Sequence, residues 1–468
     1  MALSSPGELL GETQRGNRSR LLAVVLCCLG AFVAFLDSTI VNIAFPDIAR
    51  DFHSTSLSGL SWVLNAYNVL IAALLMPIGR LADRSGVRRA FVLGLLVFSL
   101  ASLACAASSS VVPLVLARCL QAVGAATLIP TSLALLLPLF PLHQRLTAMA
   151  LWGAAAALAA GLGPALGGVL VQAVSWRAVF LVNVPLGLIA GVLARRFLGE
   201  QRDPSTRTPD VVGTVLLAAA LGVLALAVVQ GPSWGWSSAR VLVAGCGGAA
   251  GLIIVALRCR RHVAPVIDPA ALRSRAAAMG NVGTFLFATA FFAAILNNVL
   301  FLTRGWGWSV LHAAFALTPS PLLTAVTARP AGRIADRVGA RTVIVPGCLV
   351  YAGGTLLLAW GAGHSPDFLT HWLPGAACVG VGIGLAFPNF TGIALSAVEP
   401  RVLATASATN AAARQLGGVL GTALLVSVLA SRATDPLAAA RAGWTLVVAL
   451  AATALCAAIA LPRPPRVA

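Results

Sequence analysis

The chain has 468 residues, 59% of them hydrophobic and only 10% charged, with a mean hydropathy of +0.92. Soluble domains carry about a quarter charged residues, so an ordinary water-soluble enzyme is excluded. Counted in apolar spans of about 20 residues, the chain has room for more than ten and reads as an all-α polytopic membrane protein.

The net charge of +18 raises nucleic acid as a partner, but every one of the 32 basic residues is Arg. They stand in small groups at the ends of apolar runs, as orientation charges do, so no nucleic-acid partner is expected. The nine cysteines lie almost wholly inside apolar stretches without CxxC spacing and read as small hydrophobes. No metal, cofactor or catalytic constellation is expected: the six His show no HExxH pattern, and no G-x-x-x-x-G-K-[ST] loop is present.

In chain order, apolar runs bounded by Arg, Pro and Gly predict fourteen spans. They fall near 20–44, 59–78, 90–109, 112–137, 147–172, 179–198, 211–230, 240–258, 277–302, 310–329, 342–362, 372–396, 402–430 and 441–461. The first run is too long for a cleaved signal peptide and is expected to stay as a span. With both termini cytoplasmic, 24 of the 32 Arg fall on the cytoplasmic side and six outside, while Arg118 and Arg414 lie within spans. Nine of the ten Trp fall at external span ends, where headgroup anchoring is expected of them.

The run Gly79-Arg-Leu-Ala-Asp83-Arg84-Ser-Gly86-Val-Arg88-Arg89 recurs as Gly332-Arg-Ile-Ala-Asp336-Arg337-Val-Gly339-Ala-Arg341, 253 residues later. Spans one to six therefore repeat as nine to fourteen, with two spans inserted between. The predicted organisation is a cytoplasmic tail (1–19), a six-helix bundle (20–198), a linker with two inserted helices (199–276), a second six-helix bundle (277–461) and a short cytoplasmic tail (462–468). Repeated halves around a midplane site mark transporters.

Asp37 is the one acid placed within a span, in the outer third of the first. An intramembrane carboxylate costs about 2.5–3.5 kcal/mol on insertion scales, so it calls for a partner or a function. Arg118 enters the fourth span at similar depth, and Gln121 stands one turn further on the same helix. Asp37 and Arg118 are the candidates for proton coupling, against a static structural pair or an Arg118 that snorkels to the interface. The candidate substrate cavity adds Asn42, Tyr67, Gln121, Asn297, Asn389 and Arg414, the last equally consistent with a structural role. Apolar walls with one carboxylate suit lipophilic or cationic compounds.

Ordered along the chain, these motifs resemble the fourteen-helix drug:proton antiporter branch of the major facilitator superfamily. The residues that carry the resemblance are Leu36-Asp37-Ser38-Thr39, Trp62 with Tyr67, Gly79 to Gly86, and Leu116-Ala117-Arg118-Cys119-Leu120-Gln121. Further along come Gly161-Leu-Gly163-Pro164-Ala-Leu-Gly167-Gly168, Phe180 to Gly187, and Asn410 with Arg414-Gln415-Leu-Gly417-Gly418. The resemblance implies the major facilitator fold, two pseudo-symmetric six-helix bundles plus two inserted helices. It implies that Asp83 docks at the start of the thirteenth span, with Arg84, Arg88 and Arg89 free to pair with Glu399, and that Asp336 makes a mirror contact at the start of the fifth span. That would be a cytoplasmic latch; a loop that merely orients the chain is the other reading. Gly161, Gly163, Pro164, Gly167 and Gly168 are the antiporter motif in that family. The implied activity is export of hydrophobic and/or cationic drugs or antibiotics in exchange for protons, by a monomer in a bacterial cell (inner) membrane among its lipids. The alternative is proton-coupled import or export of an endogenous metabolite.

Overall fold

The computed structural model describes residues 6–141, 145–203, 208–267, 274–396, 403–430 and 435–461. Among them there is no strand. In lipid every backbone N–H and C=O must find its partner internally, and helices meet that demand within one segment.

The first half comprises α1 (Pro6–Asp51), α2 (Leu57–Ser85), α3 (Val87–Ala106), α4 (Val111–Leu136), α5 (Arg145–Ala173), the one-turn α6 (Ala178–Leu181) and α7 (Asn183–Phe197). The inserted pair is α8 (Val211–Trp234) and α9 (Ala239–Arg261). The second half comprises α10 (Arg275–Leu300), α11 (Val310–Leu317), α12 (Pro319–Val338), α13 (Arg341–Gly361), α14 (Leu373–Ser396), α15 (Leu403–Ala430) and α16 (Pro436–Ile459). Thirteen described helices are long and apolar enough to cross a membrane, and a shorter apolar stretch, Leu162–Ala173 in α5, occupies the place of the fifth span. The protein is a multi-pass membrane protein.

Two departures from the expected spans have local causes. The tenth span breaks into α11 and α12, where Pro319 begins the second piece. A proline lacks the N–H that would continue the ladder but fits the first turn of a new helix. The sixth span begins as α6 and restarts at Asn183.

One face of the molecule carries the turns at Gly86 and Gly339 and is called the Arg face; the opposite one is the Trp face. Gly86 and Gly339 have φ of 122° and 93°, which glycine adopts without steric cost. The repeated motif thus includes a backbone requirement as well as charges.

The Trp residues gather on one face, but not chiefly as headgroup anchors. Trp176, Trp372 and Trp444 are buried, and their indole N–H groups donate to Asp51 (2.7 Å), the Ala316 carbonyl (2.9 Å) and Asn298 (2.8 Å). Phe301 packs between Trp306, Trp372 and Trp444. Only Trp236 and Trp360 are largely exposed. A satisfied indole contributes much buried apolar area to a core, so these residues seal the Trp face.

The two halves share one apolar core toward that face, from Ile40, Phe45 and Val63 to Phe301, Trp372 and Trp444. On the seam, Gly168 of α5 lies against Leu311 and Ala314 of α11. Toward the Arg face the first half keeps its own core around Phe91, Phe98 and Ala126, and α12 buries only Ala331. The halves therefore share their apolar core at the Trp face, and α2 and α15 pack together through the cluster of Val69, Ala72, Leu416 and Val419.

Candidate functional site

Asp37 and Arg118 are brought together and are almost wholly buried, at 0% and 1% exposure. Arg118 Nη1 donates to Asp37 Oδ2 at 2.5 Å and to Gln121 Oε1 at 2.7 Å. Gln121 Nε2 donates to Asp37 Oδ1 (2.8 Å) and to Ser102 Oγ (2.8 Å). A third donor, Asn183 Nδ2 at the start of α7, reaches Asp37 Oδ1 at 3.2 Å. The remaining faces of Arg118 are also occupied: Nε donates to the Val63 carbonyl (3.0 Å), and the guanidinium stacks 3.9 Å over the Tyr67 ring. Tyr67 in turn donates to the Ala34 carbonyl at 3.3 Å. Five helices, α1, α2, α3, α4 and α7, are thus joined through one carboxylate and one guanidinium.

Energetically this is a demanding arrangement. Ions buried without compensation are strongly penalised, and removing one partner of such a pair typically costs about 3–5 kcal/mol. Snorkelling of Arg118 to the interface is excluded by its burial and by these bonds. The carboxylate is enclosed by these three donors in this conformation.

Asn183 and Ser102 belong to this cluster although sequence reasoning assigned them no role in it. Asn183 interrupts an apolar run directly after α6, and an amide placed so is the only signal available. The other predicted cavity residues separate. Asn42 is buried and donates to the Ser38 carbonyl of its own helix (2.9 Å). Asn389 does the same to Leu385 (2.8 Å). Asn297 donates to the Ala440 carbonyl (3.0 Å) and lines a recess of about 450 Å³ at the Trp face, with Ser58 and Arg304. Arg414 reaches across the halves instead, its guanidinium 4.8 Å over the Phe35 ring of α1.

The antiporter-motif glycines permit close approach. A Cβ on Gly163 would strike Thr39, and one on Gly167 would lie 2.9 Å from Ile40, both just beyond Asp37 on α1. Pro164 and Gly161 lie in the same helix, Gly161 outside the residues whose surroundings are described. In the second half Gly417 and Gly421 press α15 on Phe285 and Thr289 of α10, so the α1–α5 packing repeats.

Glu399, the expected partner of the Arg cluster, lies outside the described residues. Arg88 and Arg89 pair with Glu200, both at 3.6 Å, and the backbone N–H of Arg88 donates to the same carboxylate at 3.0 Å. The segment 198–203 runs along the first motif: Asp203 N–H donates to the Asp83 carbonyl (2.8 Å) and Arg202 to that of Arg84 (2.9 Å). Gly79 lies against Pro130 of α4. The second copy is bare: nothing approaches Gly332, and Asp336 and Arg337 are exposed with no ion pair among the described residues. The mirror contact expected of Asp336 falls at the start of the fifth span, where residues 142–144 lie outside the described residues. At the linker, Asp210 caps α8 through Gly213 N–H (2.8 Å) and binds Arg258 (2.7 and 2.8 Å); the Arg258 bond foremost holds its carboxyl below the usual range.

The family model described as Major Facilitator Superfamily matches residues 27–213 and 280–468. The chain belongs to this superfamily of transporters. It is 33% identical over 418 residues to the multidrug resistance protein Stp of Mycobacterium tuberculosis, covering 89% of this chain and 77% of that one. It is 34% identical to the methylenomycin A resistance protein of Bacillus subtilis, covering 91% of each. The fold is also that of a bacterial homolog of the human lysosomal transporter Spinster, solved in an inward-facing, unoccupied conformation, with TM-score 0.66 and 16% identity over 96% of this chain and 99% of that one.

Proposed function

We propose that the protein exports lipophilic drugs or antibiotics in exchange for protons, with Asp37 as the proton-carrying group. The observation that carries this reading is the Asp37–Arg118 pair, buried where five helices converge. Adding a proton to Asp37 removes the anion that Arg118 answers and leaves a buried guanidinium uncompensated. The cost, about 3–5 kcal/mol, favours rearrangement of α1 against α4 and α7. Thr39 and Ile40 sit directly on the motif glycines, so movement of α1 is passed to α5 and hence to the α5–α11 seam at the Trp face. Opening there with closure at the Arg face completes alternating access.

The names of the relatives, resistance proteins for several drugs and antibiotics, support the export direction and the substrate class. In this reading the Arg face is cytoplasmic, by the excess of Arg on that side, and the membrane is the bacterial inner membrane. The motif loop at Asp83 acts as a latch that closes on α15 in the opposite conformation, and the chain works as a monomer.

The test is a panel of lipophilic antibiotics on cells expressing the chain, with and without a protonophore. Expression should lower accumulation of some compounds, and collapse of the proton gradient should restore it. Export that persists after collapse rejects the proton-driven mechanism. Alkylation of a cysteine placed at the exposed Gly235 tests orientation: it should react from outside intact cells.

A further inference from the structure

Two arginines stand inside this protein, and their surroundings are opposite. Arg118 has Asp37, Gln121, the Val63 carbonyl and the Tyr67 ring. The Arg414 guanidinium stacks on the face of Phe35, and among the described residues no carboxylate, carbonyl or hydroxyl receives its N–H groups. A guanidinium carries five donors and no acceptor, and leaving them unanswered away from bulk water is costly.

Asn410 and Asp37 are already committed. One turn before, Asn410 donates to Asn281 (3.2 Å) and Thr284 (2.9 Å). Asp37 is two residues from Phe35 but is held by its three donors. Arg414, Phe35 and Trp152 are each only half-buried. Arg414 comes from α15, Phe35 from α1, and Trp152 from α5 meets Phe35 edge-on at 5.6 Å. One cation and two rings, from both halves, thus stand together between the halves.

We infer that Arg414 is a substrate-binding residue, and that the space between the halves takes an apolar, ring-bearing compound with an acidic group, its carboxylate or equivalent planar anion on Arg414 and its body against Phe35 and Trp152. Arg binds planar anions through paired N–H donors. The fixed positive charge disfavours cationic compounds at the same place, and Asp37, already neutralised, does not offset it. This deepens the export reading and rests on it for the identity of the occupant as cargo.

Equilibrium binding to the full chain in phosphatidylcholine vesicles, with no gradient, tests the inference apart from proton coupling. The probes are 2-naphthoate, its neutral counterpart 2-naphthamide, and 2-naphthylmethylammonium. Wild-type protein should bind the acid about tenfold more tightly than the amide, the value of one charge-assisted hydrogen bond. Arg414→Gln should erase that preference, while Arg414→Lys, which keeps the charge, should retain part of it. Equal binding of acid and amide by the wild-type chain overturns the proposal, as does tightest binding of the ammonium compound or a preference that survives Arg414→Gln. Phosphatidylglycerol added to the vesicles should leave naphthoate binding unchanged. Competition by it would assign the site to a lipid headgroup and overturn the cargo assignment. None of these outcomes depends on whether Asp37 carries the proton.

Discussion

In the first half, α1, α3, α4 and α7 converge on a carboxylate held by a guanidinium and two amides. In the second half the counterpart of Asp37, 253 residues on, is Ala290, and those of Arg118, Gln121 and Asn183 are His371, Pro374 and Pro436. There α10 and α15 are joined by neutral groups, Asn281, Thr284 and Asn410. Helix packing through glycine is common to both halves; among the described residues the fully buried carboxylate–guanidinium pair belongs to the first. An amide cluster cannot take up a proton in the physiological range, whereas a carboxylate can. The repeat thus keeps the mechanical frame while the proposed switch stands on one side, and Arg414 of the other side has no acceptor among the described residues.

The strongest way to break this comparison is Asp37→Asn. The side chain keeps its shape, but Arg118 loses its anion, so stability should fall by about 3–5 kcal/mol and gradient-driven export should drop to background. Because loss of folding could produce the same result, the double variant Asp37→Asn with Arg118→Gln separates the causes. Removing both charges should recover much of the stability in thermal unfolding while export stays absent. Recovery of gradient-dependent export in the double variant would make Asp37 a structural partner of Arg118 and nothing more.

The two copies of the surface motif sharpen the contrast next. Asp83 is half-buried in the last turn of α2, along which residues 198–203 run, while Asp336 is exposed and unpaired among the described residues. Asp83→Asn should lower turnover sharply, about tenfold or more if the carboxylate is needed at a helix start in the alternate conformation. Asp336→Asn should change it less than twofold, within what exposed charges contribute. Equal losses would mean that both copies carry the same duty. In the interior of the second half, Asn410→Ala breaks two neutral hydrogen bonds and strands Thr284 and Asn281. A cost of about 1–3 kcal/mol is expected in thermal unfolding, smaller than that of Asp37→Asn; a larger one would contradict the division of labour.

Much of this arrangement was legible in the sequence because it rests on local regularities. Apolar runs and Arg placement gave the span order, and the i,i+3 relation put Arg118 and Gln121 on one face. What escaped was long-range. Asn183 meets Asp37 across 146 positions, and Glu200 meets Arg88 across 112; no local pattern encodes either. The Trp residues were expected at the headgroups because hydropathy locates a ring near a span end without saying which way it points. Here a carboxylate, a carbonyl and an amide acceptor turn three of them inward. Arg414 was visible as an intramembrane cation, but its lack of an acceptor among the described residues depends on every neighbour at once.

The smallest expected effect concerns Glu200, the partner of Arg88 and Arg89 among the described residues. Its pairs with Arg88 and Arg89 are long, at 3.6 Å, and the side chains of Arg88, Arg89 and Glu200 are 32%, 71% and 27% exposed. Exposed pairs of this kind are worth about 0.2–1 kcal/mol and are screened by salt. Glu200→Gln keeps an oxygen for the Arg88 backbone N–H and removes only the charge. If the clamp favours the conformation open at the Arg face, the variant should lower the alkylation rate of a cysteine at Gly153, which faces open space on α5. The background should lack the exposed thiols Cys246 and Cys456. The fall should be no more than about fivefold, equivalent to 1 kcal/mol, and should shrink further in high salt. A salt-independent fall beyond that would move the conformational control of the first half from its interior carboxylate to this surface clamp.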